Sequence, residues 1–515
     1  MYGALRFNGP HGNLMRMRLR SLVLFGAAVC ALLATEPNAA TRRWWRHVTA
    51  LANDGMEGRN TGSAAYRRAA EYVAAQFEKA GVKAAGEKGW YQSVPLHEVR
   101  LRADQSSATI MGTDGTTQLQ FLRQLTVGAR ATLPEHVRGP MFFAGSERGG
   151  ADLAGKVLVQ LPGAGRGAAG GAQGAAAVIS IDAATGPEPP RWPAAYSVSM
   201  TLRGEPAAAG PQRQGGGAVA FRFNPADAEL LFRNSGHTFK ELMELQTAGT
   251  PLPRFEIPAE FMATLKTESS DLSSDNVIGV LPGSDPALAK EYVVVSAHLD
   301  GYGLGEPWNG DRIYNGAFDD AAYVATLIDF AERLHDAGVK PKRSILFCVV
   351  TGEEKGLLGS KYFVAHPTVP KESMVANVNL DQLRPIFPLH TLTTLAVDES
   401  TLGDTVREVA AKRGIKIQPD PEPQRNLLRR SDHYSFMQIG VPAVGFIFGY
   451  VPGTPDEAAY REWYAKRYHS PADDLNQPWV PDAAAKFNDF FHDLVVALAD
   501  APERPKWKAG STFAK

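Results

Sequence analysis

The chain has 515 residues, 44% of them hydrophobic and 21% charged, with a formal net charge of −1. That length is too great for one ordinary hydrophobic core and implies two or three domains, in a composition typical of globular proteins. A charge so near neutral, with no basic stretch, excludes nucleic acid or another polyanion as partner.

Residues 15 to 35, MRMRLRSLVLFGAAVCALLAT, set arginines before an apolar run, which is the order of a secretory signal peptide. The run is short for a membrane span, and the alanine-containing stretch near 34–40 supplies a cleavage site. Residues 1–40 are therefore expected to be removed, with Met1 or Met15 as the start, leaving a secreted or periplasmic protein. An uncleaved anchor is the alternative. Cys30 lies in the run without a lipobox, so the mature chain would keep Cys348 alone, as a buried filler that can form no intramolecular disulfide.

Residues 41–130 read as the first part of an α/β catalytic domain. WWRHVTALA and AAYRRAAEYVAAQFEKAG are helical; in the second, Tyr66, Ala69, Val73, Phe77 and Ala80 share one face and Gly81 stops the helix. From 131 to 260 the composition turns to Gly, Ala and Pro. Short strand-like pieces (GPMFFAG, GKVLVQL, AAAVISI) between turns predict a compact β-rich insertion, either a wall over the site or a stabilising appendage.

The main catalytic part, residues 261–501, repeats one pattern: a strand buried on both faces that ends in polar groups. EYVVVSAHLD ends in His298 and Asp300, RSILFCVVTGEE in Glu353 and Glu354, and MVANVNLD in Asp381. Such carboxyl-terminal strand ends are where an open α/β sheet builds its site. With one residue between them on an extended chain, His298 and Asp300 point the same way, so the carboxylate can take the second ring N–H. Two adjacent glutamates are costly unless a cation or a shared proton compensates, as when one binds a divalent metal and the other stays free as a base. Asp319 and Asp320 stand at the start of a helix, where one of them is expected to act as a cap. A polar loop delivers Tyr468 and His469, DAAAKFNDFFHDLVVALAD forms a closing amphipathic helix, and residues 502–515 read as a polar tail. Together these residues point to a metal-dependent catalytic centre.

The motifs AHLD, NGAFDD, GEEKGLLGS, NLD, SDHYSF with GVPA, and YHSPAD occur in this order over residues 276–475. In that order they resemble the co-catalytic dizinc aminopeptidase family, which includes secreted bacterial leucine aminopeptidases. EGRNTGS resembles that family's GR…TGS loop, expected at the domain surface and pocket edge, and ADLAGKVLVQL…GAAAVIS resembles a degenerate protease-associated domain. The resemblance implies a mostly parallel sheet flanked by helices, and two zinc ions per chain. His298 and Asp381 would hold one ion, Glu354 and His469 the other, and Asp319 would bridge them. It further implies Glu353 as general base toward a metal-bridging water, Asp300 as the acid behind His298, Tyr468 as oxyanion donor and Arg430 in the substrate pocket. The substrates implied are peptides with a free amino terminus. His433 and Asp432 are assigned pocket-positioning or structural roles, and Asp473 that of a turn or cap acid. Where Asn and Ser-Gly are common after the bridging acid, this chain has Asp320 and AAY, which bears on specificity. Two other readings stay open: a glutaminyl cyclase-like acyltransferase on the same fold, and a non-catalytic receptor-like homologue.

Overall fold

The structure is a computed structural model that describes residues 37–146, 153–163, 174–204 and 218–514. The expected signal segment up to residue 36, Cys30 included, lies outside the described residues.

The larger unit, expected as the catalytic one, is built on a ten-stranded mixed sheet. Its strands are β1 (Tyr91–Leu101), β2 (Val198–Leu202), β3 (Thr267–Leu281), β4 (Tyr292–His298), β5 (Ser344–Val350), β6 (Met374–Leu380), β7 (Thr391–Leu395), β8 (Lys416–Gln418) and β9 (Ala443–Phe448). They run in the order β8-β7-β9-β6-β4-β5-β3-β1-β2, and the short strand Lys83–Ala84 pairs with β3. The four central strands β5-β4-β6-β9 are parallel, and antiparallel pairs join them to β3 and β7. β5, β6 and β9 are buried along their whole length, which is why their sequences are continuously apolar and do not alternate.

Helices cover both faces. α1 (Ala39–Ala52), α2 (Ala64–Lys79), α3 (Ala322–Asp336), α5 (Leu402–Lys412), α7 (Pro455–Lys466) and α8 (Pro481–Asp500) share one core, and α4 (Leu358–Ala365) and α6 (His433–Gln438) pack into another on the opposite side. In α2, the five residues expected on one face are all buried.

A second sheet of eight strands has its own core, including Phe143, Phe221, Phe223 and Phe261. It begins at Ser107 and not at 131, because Ser107–Gly112 pairs with Phe255–Thr264, and Leu125–Val127 with Val219–Phe223. The unit is also interrupted: β2 leaves it and pairs with β1 in the catalytic sheet. The residues after 501, expected as a polar tail, are docked: Trp507 donates to the Gly440 carbonyl at 2.9 Å and stacks on Phe513. No described helix is long and apolar enough to cross a membrane.

Candidate metal centre

His298 is the last residue of β4, Glu353 and Glu354 follow β5, and Asp381 follows β6, so the parallel core brings all four to one edge. Asp319 enters from the turn before α3, and His469 from the loop after α7.

These side chains form two groups that share Asp319: His298, Asp319 and Asp381, and Asp319, Glu354 and His469. Asp319 Oδ1 lies 3.3 Å from His298 Nε2, and Asp319 Oδ2 lies 3.3 Å from His469 Nε2. Glu354 Oε2 is 3.3 Å from His469 Nε2, and Asp381 Oδ1 is 3.9 Å from His298 Nε2. In each group the ligand atoms lie within 4.8 Å of one another. His298 Nε2 and Asp319 Oδ2 are buried and make no well-aligned hydrogen bond, a costly state for polar atoms that no protein donor relieves. Two imidazoles and three carboxylates so placed fit a pair of divalent cations with a shared carboxylate.

The electrostatics agree with this fit. Burial pushes Glu354 up to about 7, helped by Asp319 and opposed by His469. Burial also raises Glu353 well above the carboxylate range, with Asp381, Glu354 and Asp432 adding to it against His298. Burial disfavours the charged rings of His298 and His469, yet the carboxylates around them outweigh it and raise both. Burial works against the Asp319 carboxylate too, but the two histidines beside it hold it below its ordinary value.

The second ring nitrogen of His298 is held by a partner other than the one expected, and that of His469 by a residue for which there was no expectation. His298 Nδ1 donates to the backbone carbonyl of Asp300 at 3.0 Å, while the Asp300 carboxylate stands 3.9 Å away. β4 ends at His298, so strand alternation does not extend to Asp300. The Asp300 carboxylate instead accepts from the Glu353 backbone N–H at 3.0 Å and from Thr61 Oγ1 at 2.9 Å, and thereby fixes the backbone of the Glu pair. His469 Nδ1 lies 2.8 Å from the Tyr302 hydroxyl, a partner that sequence reasoning missed although Tyr302 follows Asp300 by two residues.

Two further differences, at Asp320 and Arg59, concern residues near the site, while Asp473 and His433 keep the structural roles expected of them. Asp320 does not cap α3, whose first turn has no side-chain cap; it is fully buried with its carboxylate 4.0 Å from His298 Nε2. Arg59 of the EGRNTGS loop is not at the surface: it is fully buried and donates to the carbonyls of Leu51, Leu299, Asn315 and Gly316. Asp473 accepts from the backbone N–H groups of Phe318 and Asp319, so it holds the turn that presents the shared ligand. His433 is buried outside both ligand groups, its ring against Gly445.

The centre opens into a cavity of about 370 Å³ lined by Tyr302, Glu353, Asp381, Tyr468 and His469. Arg430 lines it too, with its guanidinium forked onto Glu188 at 2.7 and 2.8 Å. Lys361, Arg425 and Arg429 add positive charge to the same wall.

The sequence pattern of Peptidase family M28 matches residues 276–495, which contain every ligand candidate. Leupeptin-inactivating enzyme 1 of Streptomyces exfoliatus is 28% identical over 226 residues, 42% of this chain and 47% of that protein. The probable glutamate carboxypeptidase LAMP1 of Arabidopsis thaliana is 30% identical over 238 residues, 44% of this chain and 30% of that protein. The chain thus spans less than half the length of these curated relatives. Among solved structures, BSAP, a zinc aminopeptidase from Bacillus subtilis, has a TM-score of 0.59 at 19% identity and covers 91% of this chain and 98% of that one. This likeness shows that the two share a fold. Residues 276–495 thus match the pattern of peptidase family M28, and the chain shares its fold with a zinc aminopeptidase.

Proposed function

We propose that the protein is a zinc metallopeptidase that removes residues from the amino end of peptides. The observation that carries this reading is the meeting of two donor groups at Asp319, one oxygen toward each histidine. Two zinc ions held there, one by His298 and Asp381 and one by Glu354 and His469, would supply Lewis acidity for the scissile carbonyl and for the attacking water. Glu353, raised by burial, suits the general base that takes the water proton and returns it to the leaving amine. Tyr468 lines the cavity, where its hydroxyl can donate to the developing oxyanion. Asp300 and Tyr302 keep Glu353 and His469 in place. The full set of donors favours hydrolysis over a receptor-like role.

One observation favours a second reading. Besides the ligand carboxylates, the cavity wall is cationic, and among the described residues Arg429 has no carboxylate partner. Lys361 and Arg429 could receive a substrate carboxylate, as a carboxypeptidase requires, and several relatives bear that name.

One peptide prepared free, amino-acetylated and carboxy-amidated separates the readings when each form is incubated with zinc-loaded protein and followed by mass spectrometry. The free and amidated forms should shorten from the amino end while the acetylated form stays intact. Cleavage that tolerates acetylation and fails on amidation would establish the carboxypeptidase reading, and equal cleavage of all three would sink both.

A further inference from the structure

Residues 183–197 run from the second sheet to β2 and touch residues that line the cavity of the metal centre, among them Arg430 and Tyr302. This crossing segment reaches three loops of the catalytic unit with three side chains. Glu188 takes the fork of Arg430, and Arg425 Nη2 lies 3.3 Å from it. Tyr196 receives Lys355 Nζ at 2.6 Å, beside the Glu pair, and its ring stacks on Tyr302. Arg191 reaches the loop that carries Tyr468 and His469.

Arg191 has no carboxylate in its fork. Nε donates to the Tyr468 carbonyl at 2.6 Å, and the other guanidinium nitrogens donate to the carbonyls of Tyr464 and Ala465. Those two carbonyls belong to the last turn of α7, where intrahelical donors run out and the helix dipole favours a cation. The Tyr468 carbonyl lies in the peptide plane that leads into His469. His469 itself sits at φ 51°, a left-handed conformation that a non-glycine residue keeps only when its surroundings enforce it. Tyr302 fixes the His469 ring, and Tyr468 stacks on that ring with centroids 3.6 Å apart. Among these contacts it is Arg191 that grips the backbone on the amino side of the histidine.

We infer that Arg191 is a positioning residue for the Glu354–His469 half of the metal centre, so that the crossing segment from the second sheet completes that half. The inference rests on the metal reading above for what the loop binds, but not for how the loop is held. Arg191→Ala frees the α7 carbonyls and the Tyr468 peptide plane while leaving both ligand groups chemically intact. Arg191→Lys keeps the charge and loses the three-way fork.

The test uses the full chain in two measurements, zinc bound at equilibrium dialysis and amide hydrogen exchange. In Arg191→Ala, one of the two zinc equivalents should weaken by roughly 10- to 100-fold, the scale of losing an outer partner of a ligand, and the other should stay. Exchange should quicken at residues 464–470 and remain slow in β4. Millimolar methylguanidinium should restore part of both effects, which a merely structural defect elsewhere would not allow. Arg191→Lys should move in the same direction by less, and it decides the matter if the alanine protein fails to fold. Wild-type zinc affinity with wild-type loop exchange in the lysine protein, or in both variants, overturns the inference. Were the wild-type protein to bind no zinc, the peptidase reading would fall by itself, and loop exchange would still confirm or refute the role of Arg191.

Discussion

Glu353 and Glu354 are neighbours in sequence and differ in surroundings. Glu354 faces His469 at 3.3 Å and belongs to a ligand group, whereas Glu353 belongs to neither group and lines the cavity with its backbone held by Asp300. Glu353→Ala should therefore keep the zinc content and lower kcat by roughly 10²- to 10⁴-fold, the share of a general base. Glu354→Ala should lose zinc first. Equal zinc loss in both proteins, measured by atomic emission, would overturn the division. Arg384, in the loop that follows Asp381, illustrates a different balance. It is fully buried, with its guanidinium 4.8, 5.1 and 4.5 Å from the ring centres of Tyr460, Trp463 and Tyr464. Cation–π attraction offsets part of its desolvation and ties the loop after Asp381 to α7, which precedes His469.

At the scale of elements, α4 shows why GEEKGLLGS has a glycine before its serine. Gly359 donates to the Thr351 carbonyl at 2.8 Å, and its own carbonyl accepts from Asn276. A Cβ there would lie 2.2 Å from Thr351 O and 2.5 Å from Asn276 Oδ1, so the helix packs directly on the end of β5. Gly359→Ala should cost roughly 1–3 kcal/mol, as overpacking does, and displace the Glu pair. Denaturant unfolding measures it; an unchanged midpoint would mean that α4 can move away freely. The turn before α3 is likewise built from afar, since Asp473 and Arg59 come from distant segments to hold Asp319 and Gly316.

For the whole molecule, the metal centre stores a pH dependence. Without metal, Glu354 titrates near 7 against an ordinary 4.5, and Glu353, Asp381, His298 and His469 are raised as well. A group raised in the folded state binds its proton more tightly there than in the unfolded chain. Its contribution is present below the unfolded value and lost as pH rises through the folded one. Asp319 alone among the candidate ligands is depressed and works in the opposite sense. Metal-free protein should thus lose stability as pH rises from about 4.5 through 7, and zinc, which displaces these protons, should remove that loss. The difference in Tm between zinc-loaded and chelated protein should widen from about pH 5 to about pH 8. Scanning calorimetry reads it, and a gap that narrows would contradict this account.

The sequence by itself determined the α/β class and the residues that leave the central strands, because strands buried on both faces must be continuously apolar and their polar ends then stand out. His298, Glu353, Glu354 and Asp381 were legible in this way, and ordered motifs added Asp319 and His469. The tertiary structure alone decided what surrounds them. Asp300 turned its carbonyl and not its carboxylate to His298, Tyr302 took the second nitrogen of His469, and Arg191 came from the second sheet to the loop after α7. Burial of Asp320 and Arg59, and the start of the second sheet at Ser107, were equally illegible. Each depends on contacts between segments far apart in the chain, where local periodicity and charge carry no record of the partner.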